Sequence, residues 1–441
     1  MNPAPRKPGC MCPISAPCGG SINQGVGKAL PPRQNKPGTA YALSYPGCMA
    51  ADDGMGRALR RIRHARGKSL AVVAGLAGIS TSYLSRLESG ERALDRRSLI
   101  IALANALEVA PSEITRNAVG VSGELEEDRS LGDVRLSLLQ ASIGEPGGEI
   151  VPVDVLISRA KDILEAQRRC EYALVGAQLP GLVRDLHTSL LAGRDDRELL
   201  ELSVLTHVQG TQAWLSDIGA GSDLAWQASV LARRAAERLD DPLFGAVSAF
   251  GTSFGLIAAG GFDSARSLLT TAEPGTATPE ATQVTGMLTL THALVSAAQG
   301  NTAERHAALG QADELAARTG DANAMWLGFG PSNVGIWRMS VALESGEHHE
   351  AAAIAETVNP RALSPTRQAA YYREYGRALA RIPRRQTEAV LMLRRAEKIS
   401  PARIHRHPFM RAVLAELLAR AKKDAVGREL RGMAYRSGLS L

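Results

Sequence analysis

A chain of 441 residues is longer than one hydrophobic core usually organises, so two or more domains are expected. Hydrophobic residues make up 45% but aromatics only 4%, and Ala, Leu and Arg dominate, which favours helix. The formal net charge of +6 is unevenly placed: residues 57–100 carry ten Lys/Arg against Glu88, Glu91 and Asp95, for a net of +7. Residues 1–56 add +3, and the remainder is about −4. Positive charge gathered in one stretch points to a polyanionic partner, with a plain solvated helix face as the alternative. No continuous run of 18 apolar residues and no apolar leader core occurs, so neither a membrane partner nor a signal peptide is expected and a cytoplasmic address follows. Five cysteines make no disulfide scaffold, and Cys10, Cys12, Cys18 and Cys48 lack a Cys-x2-Cys pair, so no metal site is expected.

Residues 1–53, rich in Pro, Gly, Ala and Asn and without periodicity, are expected to be disordered. Met49 or Met55 is an equally sensible start, and residues 1–48 read as an upstream extension of the frame. A first helix is expected over 56–67, with Leu59, Ile62 and the stem of Arg63 on one face and Arg57, Arg60, Arg61 and Arg66 around it. Ser69 caps a second helix ending at Leu76, and Ala77-Gly78-Ile79 breaks it. Ser80 caps a third helix over 81–89, with Leu84 and Leu87 inward, Thr81, Ser82, Ser85 and Arg86 outward, and Gly90 as its stop. Two short helices joined by a tight Gly-containing turn form the helix-turn-helix pattern. A basic connector follows, Ser98 is expected to cap a fourth helix, and a short fifth begins near Pro111.

The run Leu-Ser-Arg-Leu-Glu-Ser-Gly (84–90), preceded by Leu-Arg-Arg-Ile-Arg (59–63) and Gly-Lys-Ser-Leu (67–70), resembles the Cro/CI-type (xenobiotic-response-element) helix-turn-helix family. That resemblance covers 56–116 and implies a five-helix, lambda-repressor-like DNA-binding domain. It also implies that Arg63 pairs with Glu88 as scaffold, outside the DNA contacts. Leu70 stands where the family usually has a phosphate-touching Gln, so the anchor is lost or passes to Lys68.

Residues 117–150, with six Gly and one Pro, read as an interdomain linker, or as a small ordered hairpin packed on the next domain. From 151 the chain is helix after helix, expected over 153–177, 181–192, 197–218, 223–239, 242–259, 262–272, 279–299, 302–319, 322–345, 347–358, 364–381 and 386–399, with two more to close. Such a series suggests an α-solenoid. The Gly-x-aromatic-x-x-Ala pattern at Gly260–Ala265 and Gly346–Ala351, and Ala389, Leu393, Ala396 and Pro401, resemble tetratricopeptide repeats. Gly260, Gly300 and Gly346 recur at 40 and 46 residues, so these are degenerate repeats or helix pairs of another kind. The fold class is therefore all-α: a DNA-binding head (54–116), a linker (117–150) and a repeat domain (151–441), a plan that resembles regulators abundant in actinobacteria.

The DNA-binding candidates are Lys68, Ser80, Thr81, Ser82, Tyr83, Ser85 and Arg86, with Arg92 and Arg96 as backbone clamps. Arg86 has the fork that matches guanine O6 and N7, and Ser80 sits at a helix N-terminus suited to phosphate. A broken helix at 326–333, with Trp326, Phe329, Asn333 and Trp337 beside Tyr372 and Tyr375, reads as an effector pocket or as ordinary core. His187, His207 and His292 stand alone, and His405-Arg-His407 lacks nearby carboxylates in sequence. No nucleophile elbow, Walker loop or His-Glu-x-x-His is present, so no enzyme and no cofactor are expected. The expected function is a sequence-specific transcriptional regulator, a homodimer on double-stranded DNA responding to a peptide or metabolite effector. The alternative is a repeat-based protein-interaction adaptor with a head vestigial for DNA.

Overall fold

The structure, a computed structural model, describes residues 54–115, 126–193 and 196–439. The readings placed on residues 1–53, including the four N-terminal cysteines, lie outside them. The described chain is all-α. The head comprises α1 (Met55–Ala65), α2 (Leu70–Leu76), α3 (Thr81–Ser89), α4 (Arg97–Leu107) and α5 (Pro111–Thr115). Its core is Leu59, Val73, Leu84, Leu87, Leu103, Leu107 and Ile114, all but withdrawn from solvent. Ser69 and Ser80 cap α2 and α3 by accepting the Val72 and Tyr83 N–H groups, each at 3.2 Å.

The stretch read as a linker contains α6 (Glu126–Ser142). It packs on α8, with Leu131, Val134, Leu138 and Ala141 joining the main core. The period-3.6 spacing of those four was overshadowed in sequence by the glycines around them. Next come α7 (Val153–Arg168), α8 (Tyr172–Leu191) and α9 (Asp196–Leu205), then a π-helix (Thr206–Gln212) running into α10 (Ala213–Asp217). The break expected near Pro180 is absent: Pro180 is inside α8. The chain breaks at 169–171 instead, where Cys170 takes φ 62°.

The array continues with α11 (Ser222–Leu239), α12 (Pro242–Ala259), α13 (Phe262–Thr271), α14 (Pro279–Ala298) and α15 (Thr302–Thr319). It then runs through α16 (Pro331–Ser345), α17 (His348–Thr357), α18 (Pro365–Arg381) and α19 (Gln386–Ile399). The helix expected from 322 starts only at Pro331, after a loop holding one 3-10 turn. The chain closes with α20 (Pro401–His405), α21 (Pro408–Leu418) and α22 (Ala425–Arg436). Helices α12, α14, α16 and α18 touch in succession, and each packs on the helix that follows it in the chain. Helix α12 is long and apolar enough to cross a membrane by length and composition, at 18 residues and mean hydropathy 1.5, but half of it is buried among neighbouring helices.

The recurring glycines have a common physical reason. Gly260, Gly300 and Gly346 take φ of 85°, 74° and 82°. In each case the next residue sends its N–H back to the carbonyl five positions earlier: Gly261 to Leu256, Asn301 to Ser296 and Glu347 to Ala342, all at 2.8 Å. The same left-handed cap thus closes α12, α14 and α16, and the partner helix starts two residues after each glycine.

Candidate nucleic-acid interface and ligand cavity

Helices α2 and α3 turn through 107° across the Ala77–Ser80 junction, within the range that sets a recognition helix across its partner. The buried side of α3 is Leu84, Leu87 and Glu88, while Thr81, Ser82, Ser85 and Arg86 are exposed and Tyr83 is half-buried at the core edge. Glu88 is held by Arg63 of α1 in a two-pronged pair, Nε to Oε1 at 2.6 Å and Nη2 to Oε2 at 2.8 Å. Donating to the Glu88 carboxylate pushes the Arg63 pKa upward. The pair fixes α1 against α3, and exposed Arg57, Arg60, Arg61 and Arg66 surround it on the α1 side. Leu70 is half-buried and packs against the head core.

Lys68 is engaged within the head. Its Nζ donates to the Ala106 carbonyl and to Glu108 Oε1, both at 2.8 Å, tying the end of α4 to the start of α2. The connector arginines are also engaged within the chain. Arg92 faces Glu416 at 3.6 Å, and Arg96 lies against the Gly346 turn, where an added Cβ would come within 3.3 Å of its guanidinium. The backbone of the connector is bound as well: Ala93 N–H donates to Glu416 at 2.8 Å. Arg381 donates to the Ala93 carbonyl and to Asp95 at 2.9 and 2.8 Å, and Arg377 to the Asp95 carbonyl at 2.7 Å. Acids and arginines some 250 to 330 residues away in sequence thus hold the segment after α3.

The cap of α4 comes from the array too. Ser98 is not its N-cap; Glu344 of α16 accepts the N–H groups of Arg97 and Ser98 and the Ser98 hydroxyl. Phe409 of α21 enters the head core, with the guanidiniums of Arg97 and Arg377 at 5.4 and 5.3 Å from its ring centre. Head and array are therefore joined by packing and by buried ion pairs.

Where α4 and α5 meet the array there is a cavity of about 710 Å³. Trp326, Phe329, Asn333 and Trp337 are on its wall, as are Ile100 and Ile101 of the head. Tyr372 and Tyr375 are not: Tyr372 meets Tyr371 edge to face and lies beneath Arg395, and the Tyr375 hydroxyl meets Glu356 and Arg385. They share a helix with each other but not a face with the broken segment. Sequence reasoning missed Gln167 and Arg367 on the wall, and Val208, Gln209 and Gln212 of the π-helix. The π-helix left no sequence signal, because a one-residue expansion changes no residue type.

The lone histidines also find partners. His187 and His207 approach at 2.8 Å between Nε2 atoms. Burial drives the His187 pKa down to about 4 and that of His207 well below its ordinary value. His405 meets Glu397 at 2.6 Å, a carboxylate on the preceding helix α19.

Residues 55–116 match the family model of a helix-turn-helix domain. No characterised protein and no solved structure matches the chain. The head is thus a helix-turn-helix domain, and the array is described by its own geometry.

Proposed function

We propose that the protein is a sequence-specific DNA-binding transcriptional regulator whose head resembles the Cro/CI type. The observation that carries this is the exposed face of α3, Thr81, Ser82, Ser85 and Arg86, on a helix set at 107° to α2 and flanked by the basic surface of α1. Arg86 makes no ion pair or hydrogen bond through its guanidinium with the described residues and is available to a base edge. The Thr81 and Ser82 N–H groups at the start of α3 suit a phosphate.

In this reading the tetratricopeptide-like array dimerises and senses a ligand, and the docked connector fixes the angle at which the head meets DNA. Dimerisation is supported by an exposed apolar stripe formed by Leu136, Leu139 and Ile143, which are 52, 48 and 71% exposed. The first two lie three apart on α6 and the third at its end, so all share one side.

The test is binding of the full chain to its own upstream DNA across a salt series. The regulator retains a preferred site, and Arg86→Ala relaxes that preference by roughly 1–3 kcal/mol without unfolding the head. Equal binding of all sequences by both forms sinks the proposal. No DNA binding at all, with a protein partner retained, would leave the adaptor reading in its place.

A further inference from the structure

We infer that the cavity between the head and the array binds a small, mainly apolar organic acid, with its ionised carboxylate on Arg367. This deepens the sensing half of the function proposed above and rests on that reading only for its consequence at the DNA. At about 710 Å³ the cavity suits a molecule of a few rings or a medium-length chain. Its wall is largely aromatic and aliphatic: Ile101 from α4, Phe254 from α12, and Trp326 and Trp337 from either side of the α16 start.

The charges on that wall are accounted for except one. Arg403 is bound to Asp217 at 2.7 Å, Arg168 to Glu165 at 2.7 Å, and Arg97 to Glu344 at 3.4 Å. The Asp321 carboxylate is taken by the Ser332 N–H and hydroxyl at 3.0 and 2.6 Å. Arg367 donates one bond, to the Leu327 carbonyl at 2.7 Å, and no described carboxylate lies within ion-pair distance of it. A guanidinium has five N–H donors, so most of its fork is left for an anion. Burial, and then Arg403, push the Arg367 pKa down to about 10, which leaves it a cation at neutral pH. Such a group gains most from an ionised oxygen brought to it with an apolar body that fills the rest of the space.

Three further polar atoms on wall residues have no hydrogen-bond partner: Gln167 Oε1, Gln209 Nε2 and Asn333 Oδ1. Gln209 belongs to the π-helix, a form that recurs at functional sites because the extra residue re-aims side chains. Because α4 supplies part of the wall, occupancy bears directly on a helix of the head that packs on α2, the partner of α3.

The experiment uses the full chain without DNA and two matched probes, 2-naphthoate and uncharged 2-naphthamide, each displacing 8-anilinonaphthalene-1-sulfonate. Naphthoate is expected to displace it at about tenfold lower concentration than the amide, since a charged hydrogen bond supplies the difference. Arg367→Gln removes that preference and Arg367→Lys keeps most of it. Equal displacement by both probes, no displacement by either, or an unchanged preference in Arg367→Gln overturns the inference. The wild-type comparison stands even where a variant misfolds. As no DNA is present, these outcomes are independent of whether the head reads a sequence.

Discussion

The carboxylate of Glu344 accepts the backbone N–H and the hydroxyl of Ser98 at 2.8 and 2.9 Å, across 246 residues of chain. It supplies the cap of α4 and neutralises Arg97 at 3.4 Å, itself almost wholly buried. A side chain of the array thus completes a helix of the DNA-binding head. Glu344→Ala leaves two N–H groups and a hydroxyl without partners and should cost about 2–4 kcal/mol in urea denaturation. Glu344→Gln keeps one acceptor and should cost less. A loss within error for the alanine variant would mean that α4 is capped without the array.

Arg63 and Glu88 are each almost entirely buried and bind each other through two hydrogen bonds. Removing one partner strands a charge, so Arg63→Ala or Glu88→Ala should each destabilise by about 3–5 kcal/mol. The double variant should cost much less than the sum. Additive losses in a double-mutant cycle would show that the two do not act as a unit.

Lys68 is satisfied by the Ala106 carbonyl and Glu108, and the exposed Glu108 carboxyl is held below its ordinary pKa by that hydrogen bond. Lys68→Met should therefore lower the denaturation midpoint of the chain only slightly. The salt dependence of DNA binding should stay unchanged. A salt slope that falls by about one counterion would return Lys68 to the phosphate contacts.

The His187–His207 pair gives a sign to the acid response. The folded pKa of His187, about 4, lies below its ordinary 6.5, so the unfolded chain binds more protons between those values. Stability is then full above pH 6.5 and falls as the pH drops through that window, by roughly 3 kcal/mol for this one group. Denaturation midpoints measured at about pH 7, 5.5 and 4.5 should fall in order, and less steeply in His187→Gln. A flat profile would show that the ring is protonated without penalty.

Leu139 and Ile143 test the dimer. The double change Leu139→Glu, Ile143→Glu replaces exposed apolar groups by charges and should leave the fold intact within about 0.5 kcal/mol. Sedimentation should shift it from dimer to monomer. A wild-type chain that sediments as a monomer removes α6 as the dimerising face.

Much of the head was legible because its information is local. Ser69, Ser80, Gly78 and Gly90 act on neighbours within a few residues, and the spacing of Leu84 and Leu87 names the buried face of α3 directly. The glycines of the array were legible for the same reason, since a left-handed cap needs only the turn it closes. The break expected between 177 and 181 is absent because Leu179, Leu182, Val183 and Leu186 on both sides of Pro180 pack into the core. Tertiary burial outweighed one missing hydrogen bond.

By itself the sequence determined the all-helical class, the turn between α2 and α3, and which residues of α3 face outward, since each follows from periodicity and capping over less than three turns. Only the tertiary structure decided where the long-range charges go. Read along the chain, Lys68, Arg92 and Arg96 look like solvent or DNA contacts and Ser98 like the cap of its own helix. In the fold Lys68 is bound by Glu108, Arg92 faces Glu416, Arg96 lies against the Gly346 turn and Ser98 is bound by Glu344, and spacing in sequence carries no information about Glu344 or Glu416, which folding brings from hundreds of residues away. The same holds for Arg367, whose lack of a carboxylate partner is a property of the cavity and of no motif.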